Sequence, residues 1–448
     1  MFKKRWLVLL CVLLSNGCFL FGPTYTKPSL NIPPQWPHQT PVKTDAPANL
    51  PDLRWWKQFG SLELNTFIQK ALLQNNEPKI AVANIEYARS QLDEVKLNWL
   101  PNLTALAGYS QFPILGNPGN VFIAYPLFVV NILQLYKQQK SAQAIYEASI
   151  YAKDCVRLVV IAQTAAGFFT LIAQKEALKL YNQLLKDYRD YLHLAQSQYN
   201  AGLTSQDNID RIGRQMKQIQ AQIEITQHNI MVSNNALHFL FNENPGFLEV
   251  KTSFKHLNSN GVIPGNLPTS VLSYRPDVLK AEALLKAANA DVGSVTANLL
   301  PTVTLGAYLG AGSSIKGPIR LGEAYINTPV IDLPIFAQIS ASKARYKAIY
   351  IQYIVTVKEA LRDVANDLSA YSAYSNQLNI NTSALNDEKR RCHLAELRYR
   401  HGLDDKIELI KCKIEMDQFE LMINQNKLEK MIAIVNLYQN LAGGYHGD

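Results

Sequence analysis

The 448-residue sequence contains none of the motifs that usually mark an enzyme active site. Its eight histidines and scattered acidic residues form no HExxH, GxSxG, phosphate-binding loop or dinucleotide-binding pattern. Long acidic, Ser-rich or Gly-rich tracts are also missing, and 48% of the residues are hydrophobic, which argues against extended disorder. We therefore expect a folded protein that is not an enzyme, with no catalytic residue and no cofactor.

Cysteine is scarce, and the spacing of the five cysteines resembles no zinc site. Cys392 and Cys412 lie ten residues before and ten residues after Gly402. If two antiparallel helices turn at Gly402, both sulfur atoms lie at the same level. The two cysteines then either form a disulfide or are small buried side chains on different helix faces.

The N-terminal apolar run, Trp6 to Leu14, is too short to cross a bilayer. Basic residues precede it, so residues 1–17 are predicted to be a secretory signal. The following sequence Leu-Ser-Asn-Gly-Cys resembles a lipobox, in which cleavage precedes Cys18 and a diacylglyceryl group is attached to its sulfur. Asn16 fits this pattern poorly, so ordinary signal cleavage nearby is the alternative.

Positive charge exceeds negative charge only moderately. Removing the signal takes away Lys3, Lys4 and Arg5, which lowers the formal net charge from +8 to +5. The remaining excess is spread along helical stretches, with no basic patch that carries interleaved aromatic residues. The charge pattern therefore indicates no nucleic-acid partner.

The two halves of the sequence repeat each other with an offset of about 200 residues. Leu-Pro-x-x-Thr, x-Pro-x-Phe and Tyr-x-x-Gly-Leu occur in this order in both halves. They begin at Leu100, Tyr125 and Tyr199, and again at Leu300, Leu333 and Tyr399. The predicted organisation is an extended segment (18–60), a first repeat (61–243), a linker (244–274), a second repeat (275–442) and a C-terminal tail (443–448).

Each repeat contains a predicted β-hairpin, at 102–130 and at 302–334. The strands are predicted at Leu103 to Gln111, Val121 to Val130, Val303 to Ala311 and Tyr325 to Leu333. These lengths are close to the ~9 to 11 residues that a tilted membrane-spanning strand needs. Because four strands cannot close a barrel and an open sheet edge cannot face lipid, the pattern predicts a homotrimer with twelve strands.

Long helices follow each hairpin, at 131–242 and at 337–441, and each pair turns at the Tyr-x-x-Gly-Leu landmark. An outgoing helix of about 70 residues would be about 105 Å long. One apolar seam runs along the first return helix, whereas the second return helix carries two seams, which begin at Ile407 and Leu409. A helix with two seams needs two neighbours, which favours a tube of helices.

In these features the sequence resembles the TolC-type outer membrane factors, specifically the NodT/OprM-like efflux lipoproteins. The resemblance covers nearly the whole mature chain. It rests on the Gly-Pro-Thr-Tyr-Thr-Lys-Pro segment at 22–28, Trp-Trp-Lys-Gln-Phe at 55–59, the segment 275–295, the Tyr-x-x-Gly-Leu turns and the closing segment 437–444. It implies a mixed α and β fold, in which an outer membrane β-barrel, with four strands per chain and twelve per trimer, continues as a long periplasmic α-helical barrel.

The resemblance also implies function, location and partners. The protein would be a passive trimeric exit duct of a tripartite efflux pump, lipid-anchored in the bacterial outer membrane and extending into the periplasm. Its partners would be outer membrane lipid, a periplasmic adaptor and an inner-membrane transporter of the RND type, and its cargo small molecules such as drugs. Two alternatives stay open: the duct of a type I protein secretion system, and a non-conducting coiled-coil envelope protein.

The helix-turn tips at Gly202 and Gly402 would form the periplasmic mouth. In related channels, acidic side chains near the tips narrow the closed pore, which makes Asp404 a gate candidate, followed by Asp405, Asp207 and Asp210. The alternative is that an aspartate near a helix start caps that helix and complements its dipole.

Overall fold

A computed structural model of the 448-residue chain provides the fold. It describes residues 24–30, 32–33, 36, 50–110, 118–258, 269–313, 317–329 and 331–446. The predicted signal at 1–17 and the predicted lipid-attachment site Cys18 lie outside the described residues. Parts of the predicted N-terminal segment and of the linker lie outside them as well.

The described residues form seven α-helices, four β-strands and several short 3-10 turns. In chain order the elements are α1 (Leu62–Gln74), α2 (Asn76–Leu97), β1 (Asn102–Ser110), β2 (Gly119–Val130), α3 (Ile132–Asn200), α4 (Gln206–Leu240), α5 (Pro276–Thr296), β3 (Thr302–Gly312), β4 (Ile319–Asn327), α6 (Leu333–Arg400) and α7 (Lys406–Asn440).

The chain divides into two compact units that do not follow the sequence repeats. Unit 1 comprises residues 1–31, 81–153 and 276–357, and unit 2 comprises residues 32–80, 154–275 and 358–448. Each unit therefore contains parts of both repeats.

Unit 1 contains one antiparallel sheet with the strand order β1-β2-β3-β4. Strand β1 pairs with β2 and β3 pairs with β4 as the two predicted hairpins. The two hairpins are joined by β2 and β3, with Phe128 opposite Leu305 and Ile123 opposite Gly310. One sheet is thus assembled from both sequence repeats.

The predicted position of the last strand, Tyr325 to Leu333, is wrong. Strand β4 spans Ile319–Asn327, and α6 already begins at Leu333, ahead of the predicted start at 337. The repeated x-Pro-x-Phe landmark has a different structure in each half, because Pro126 lies within β2 and Pro334 lies in the first turn of α6. Proline is tolerated in that turn because its N–H groups have no acceptor within the helix.

The strand-to-helix bend of the first repeat is made by an asparagine. Asn131 precedes α3, and its Oδ1 accepts a hydrogen bond from the backbone N–H of Gln134 at 3.1 Å. Its Nδ2 donates to the carbonyl of Ala297 at 2.6 Å, and the side chain is buried. Asn131 therefore caps α3 and ties its start to the end of the α5 segment.

The outgoing helices are as long as predicted. Helix α3 has 69 residues and α6 has 68, so each extends for about 100 Å at a rise of ~1.5 Å per residue. An apolar window of α3 reaches the hydropathy of a membrane span, but 56% of it is buried inside the protein. Phe168, Phe169 and Leu171 are fully buried there, which is typical of a core helix.

The two predicted seams of α7 contact different neighbours within unit 2. Ile407, Ile410 and Ile414 pack in one cluster with α3 and α4 residues that include Tyr188 and Ile212. The other seam, with Leu409, Cys412 and Met416, packs against Cys392 and Ala395 of α6. The two seams of α7 therefore contact different helices, one seam packing with α3 and α4 and the other with α6.

Segments from both ends of the sequence meet in the core of unit 2. The indole of Trp55 stacks on Tyr438 with ring centroids 5.1 Å apart, and its Nε1 donates to the carbonyl of Gly443 at 3.2 Å. The Arg275 guanidinium donates to the carbonyl of Asn440 at 2.6 Å. Trp55 and Arg275, from two of the segments that carry the family resemblance, therefore both contact the closing segment.

Candidate functional site

One face of the sheet is apolar and exposed. Side chains alternate between the two faces along a strand, and residues paired across strands share a face. Most of the apolar face is formed by Leu103, Ala105, Ala107, Tyr109, Phe122, Ala124, Phe128, Leu305, Ala307, Leu309, Ala324 and Ile326, and its polar members Asn120 and Arg320 lie near the hairpin turns. Leu103 is 75% exposed and Ile326 is 69% exposed. An exposed sheet face of this composition is typical of a strand surface that contacts lipid.

The opposite face of the sheet, called the mixed face here, carries polar side chains and glycines among apolar ones. Val121, Ile123 and Ile319 form a buried cluster on it, against which Tyr125 and Tyr308 pack. Its other members include Asn102, Thr104, Thr304, Gly306, Gly310, Glu323 and Asn327. One apolar face and one polar-containing face are the pattern of a barrel with lipid outside and water inside.

The two outer strands of the sheet are β1 and β4. Among the described residues, β1 pairs only with β2 and β4 pairs only with β3. Each outer strand therefore presents a row of backbone N–H and C=O groups along nine residues. In hydrocarbon such groups require partners, so an edge of this length is suited to pairing with another chain.

The long helical hairpins of unit 2 turn at glycines with a left-handed backbone. Gly202 has a φ of 74° and Gly402 has a φ of 71°. The N–H of each glycine donates to the carbonyl three residues earlier, that of Tyr199 at 2.9 Å and that of Tyr399 at 3.0 Å. Glycine adopts this conformation without the cost of about 1 to 2 kcal/mol that a Cβ atom adds. The two predicted tips thus have the same backbone structure.

Asp405 is the N-cap residue of α7. Its Oδ1 accepts a hydrogen bond from the N–H of Ile407 at 3.3 Å, and its Oδ2 accepts one from Nε2 of Gln198 on α3 at 2.7 Å. At the equivalent position of the first tip, Ser205 makes no capping bond with its side chain. The geometry agrees with the capping interpretation of Asp405.

Asp404 has a different environment from Asp405. Its side chain is 35% exposed, and its Oδ2 lies 3.6 Å from Nη1 of Arg398 near the end of α6. Asp207 and Asp210 are exposed near the start of α4, where Asp210 accepts a hydrogen bond from Gln206 at 2.9 Å. The four candidate acids therefore do not occupy equivalent positions in the two tips.

Cys392 of α6 and Cys412 of α7 are joined by a disulfide, with their Cα atoms 5.5 Å apart. The Glu388 carboxylate lies near both sulfur atoms, so that the three groups resemble a metal-ligand set. However, a metal ion binds cysteine as the thiolate, whereas both sulfur atoms are in the disulfide. The Glu388 carboxylate also forms an ion pair with Arg391, with 2.6 Å between Oε1 and Nη2. These residues fit a covalent link between two helices better than a metal site.

Two carboxyl groups in unit 2, one buried and one half-buried, were not singled out by the sequence analysis. Asp187 of α3 is buried, and it is hydrogen-bonded to Asp417 of α7. Burial and, after it, the nearby charges of Asp187 and Glu420 together raise the pKa of Asp417 from 3.8 to about 7, although Lys413 acts in the opposite direction. Nothing in the sequence distinguishes these acids from the solvent-exposed ones on the same helices.

A second missed contact fixes the N-terminal segment to unit 1. Lys27 Nζ lies 2.7 Å from the buried carboxylate of Glu282 on α5, and Lys286 Nζ lies 3.3 Å from the same carboxylate. The Tyr25 hydroxyl also approaches it, at 3.4 Å. The Gly-Pro-Thr-Tyr-Thr-Lys-Pro segment therefore contains the residues that bind the segment to α5.

A four-stranded sheet with unpaired outer strands and an apolar face, combined with helical hairpins of this length, defines a class of protein, the outer membrane channels. The sequence profile of the family described as "Outer membrane efflux protein" matches the chain twice, at residues 67–243 and 267–443. The chain belongs to the outer membrane efflux protein family.

Known proteins with similar sequence or structure agree with this assignment. The chain is 24% identical to the toluene efflux pump outer membrane protein TtgC of Pseudomonas putida, over 96% of this chain and 93% of TtgC. It is 23% identical to the probable outer membrane lipoprotein SilC of Salmonella typhimurium, over 99% of this chain and all of SilC. The chain has the same fold as the MtrE outer membrane channel of Neisseria gonorrhoeae, which was solved in its open state, and the TM-score is 0.81. The match covers 95% of this chain and 99% of MtrE at 23% identity.

The predicted fold class, location and general function are thereby confirmed. The protein has the TolC-like outer membrane channel fold, it is located in the bacterial outer membrane, and it is an outer membrane component of efflux.

Proposed function

We propose that three copies of this chain assemble into a passive channel that serves as the exit duct of a tripartite efflux pump. Each copy would contribute β1 to β4 to a twelve-stranded barrel and the hairpins α3–α4 and α6–α7 to a periplasmic tunnel. The observation that carries the proposal is the sheet, whose apolar face is exposed and whose two outer strands have unpaired edges. Closure by neighbouring copies would satisfy those edges in the membrane.

The partners follow from the same proposal. A periplasmic adaptor and an inner-membrane transporter of the RND type would deliver small molecules such as drugs to the channel, and the transporter would select the cargo. The relatives named for solvent and toluene efflux favour this role over a type I secretion duct. A non-conducting coiled-coil envelope protein would not need a sheet with one face suited to lipid, so the sheet favours the channel over this alternative. The channel would act by its shape and the charges at its constrictions, without a catalytic step.

We further propose that Asp404 contributes to a gate at the Gly402 tip. In a trimer, three Asp404 carboxylates would approach one another and repel, and protonation or a bound cation would relieve this repulsion. Unlike Asp405, Asp404 makes no capping bond in the described structure, and its carboxylate lies 3.6 Å from Nη1 of the exposed Arg398. Asp405, Asp207 and Asp210 are weaker candidates. The Cys392–Cys412 disulfide would brace the same hairpin.

The lipid anchor is proposed at Cys18, where the lipobox-like sequence places it. SilC is named as a probable outer membrane lipoprotein, which supports this assignment. The contact of Tyr25 and Lys27 with Glu282 would hold the segment that follows the anchor.

The function is tested in a strain that lacks this gene, by measuring the retention of a fluorescent efflux substrate. Wild-type protein should restore efflux, and Asp404→Ala should restore it while also making cells sensitive to a large antibiotic that the outer membrane normally excludes. Asp190→Ala, which changes an exposed acid of α3 that is not a gate candidate, is the matched control and should restore efflux without that sensitivity. Failure of the wild-type protein to restore efflux would contradict the proposed function, and equal sensitivity of both variants would contradict the assignment of the gate to Asp404.

A further inference from the structure

Glu323 is one of only two charged side chains in the four described strands, the other being Arg320. Glu323 lies at the centre of β4, four residues from either end, whereas Arg320 lies next to the β3–β4 turn. A carboxylate at the centre of a membrane-spanning strand is costly in lipid and is expected to point to water. The strand pairing agrees, because it places Glu323 on the mixed face and Arg320 on the apolar face.

The neighbouring strand provides space for this carboxylate. Gly306 of β3 is paired with Glu323, and a Cβ atom at Gly306 would lie only 2.8 Å from Oε1 of Glu323. The Glu323 side chain therefore lies across the glycine, along the sheet surface. A larger residue at position 306 would displace the carboxylate from this position.

Two tyrosines extend the site across the sheet. Tyr308 is hydrogen-bonded to Glu323, and its ring stacks on Tyr125 of β2 with centroids 5.8 Å apart. Strands β2, β3 and β4 thus bring one carboxylate and two aromatic rings together on the mixed face. The electron-rich faces of aromatic rings attract cations, so all three side chains favour the same sign of charge.

We propose that Glu323, together with Tyr308 and Tyr125, forms a cation-selective belt on the wall of the barrel lumen. The proposal rests on the proposed trimeric channel, in which three copies of Glu323 would lie at one level around the lumen. The rest of the mixed face offers Asn, Thr, Gly, Tyr and apolar residues in the described strands, so no other carboxylate would set the sign of charge there. The belt would favour inorganic cations and cationic organic solutes over anions.

The range of the belt follows from ionic screening. The Debye length is about 10 Å at 0.1 M salt and about 3 Å at 1 M. Carboxylates on the lumen wall should therefore act on passing ions at 0.1 M and lose most of their effect at 1 M. Selectivity produced by this site is accordingly dependent on salt concentration.

The test is the reversal potential of the purified channel in planar bilayers under a potassium chloride gradient. At about 0.1 M salt we expect Glu323→Gln to lower the cation-to-anion permeability ratio at least about two-fold, and Glu323→Lys to invert the preference. Arg320→Gln is the matched control, since it removes the other charged strand residue from the opposite face, and it should leave the ratio unchanged. At 1 M salt the wild type and Glu323→Gln should converge.

A second variant keeps the test decisive if Glu323→Gln or Glu323→Lys fails to assemble. Glu323→Cys can be inserted in the bilayer and then modified with an anionic or a cationic thiol reagent, which should restore or invert the cation preference. Unchanged selectivity in conducting Glu323 variants would overturn this inference and leave the proposed function intact. Complete absence of conductance in the wild type would overturn the proposed function and this inference with it.

Discussion

Asp417 is the residue whose ionisation should influence stability most clearly. Its pKa is raised to about 7 in the folded protein, mainly by burial. A carboxyl group with a raised pKa binds more protons in the folded state than in the unfolded state. Stability should therefore decrease as the pH rises from about 4 to about 7, and it should remain lower above that range.

Asp417→Asn should remove this pH dependence, because an amide stays neutral throughout. We expect its melting temperature in detergent to exceed that of the wild type by a few degrees at pH 8 and by clearly less at pH 5, where only part of the stability has been lost. Asp190→Asn, which changes an exposed acid of α3, is the control and should have little effect at either pH. A melting-temperature change of equal size at pH 5 and pH 8 would refute the raised pKa of Asp417.

Individual side chains were predictable only where a local pattern identified them. The spacing of Cys392 and Cys412 around Gly402 suggested that they meet, and the structure joins them. The contacts of Glu282 with Lys27 and of Asp417 with Asp187 were not predictable, because in each pair the two residues come from segments distant in sequence. No helical or strand period connects such segments before the fold is known.

At the scale of the secondary-structure elements, the β2–β3 pairing depends on a close approach at Gly310. A Cβ atom on this residue would collide with the backbone oxygen of Phe122. Gly322 on β4 has space, since its nearest neighbour would be a backbone oxygen 3.9 Å away. The two glycines therefore offer a matched pair of substitutions within one sheet.

Gly310→Ala should disrupt the pairing of β2 with β3 and thus the only connection between the two described hairpins of the sheet. We expect a loss of heat-resistant oligomers on gels and of protein in the outer membrane fraction. Gly322→Ala should assemble normally. Normal assembly of Gly310→Ala would show that the two strands do not approach as closely as the structure indicates.

The long elements were the most predictable from sequence. The lengths of α3 and α6 and the two seams of α7 follow from periodicity and from the absence of helix-breaking residues. Strand β4 was misplaced because the repeated proline was assumed to mark the same point in both halves. The sequence around Pro334 is compatible with a strand end and with a helix start, and only the observed pairing of Ile319–Asn327 with β3 decides between them.

At the scale of the whole molecule, the repeats predicted the order of the elements but not the compact units. Both units mix the two repeats, and in unit 1 the reason is the pairing of β2 with β3 across the repeat boundary. A contact between repeats leaves no local signature in the sequence. The need for further copies, by contrast, followed from the number of strands alone, because four strands cannot form a closed barrel.

Whether this chain forms a water-filled pore is decided by single-channel recording of the purified protein in planar bilayers. The oligomer should first be confirmed as a trimer by its native mass in detergent. We expect discrete conductance steps from these trimers, and we expect the steps to be larger or longer-lived in Asp404→Ala. If well-folded trimers of both proteins insert into the bilayer and carry no current, the protein is not a channel.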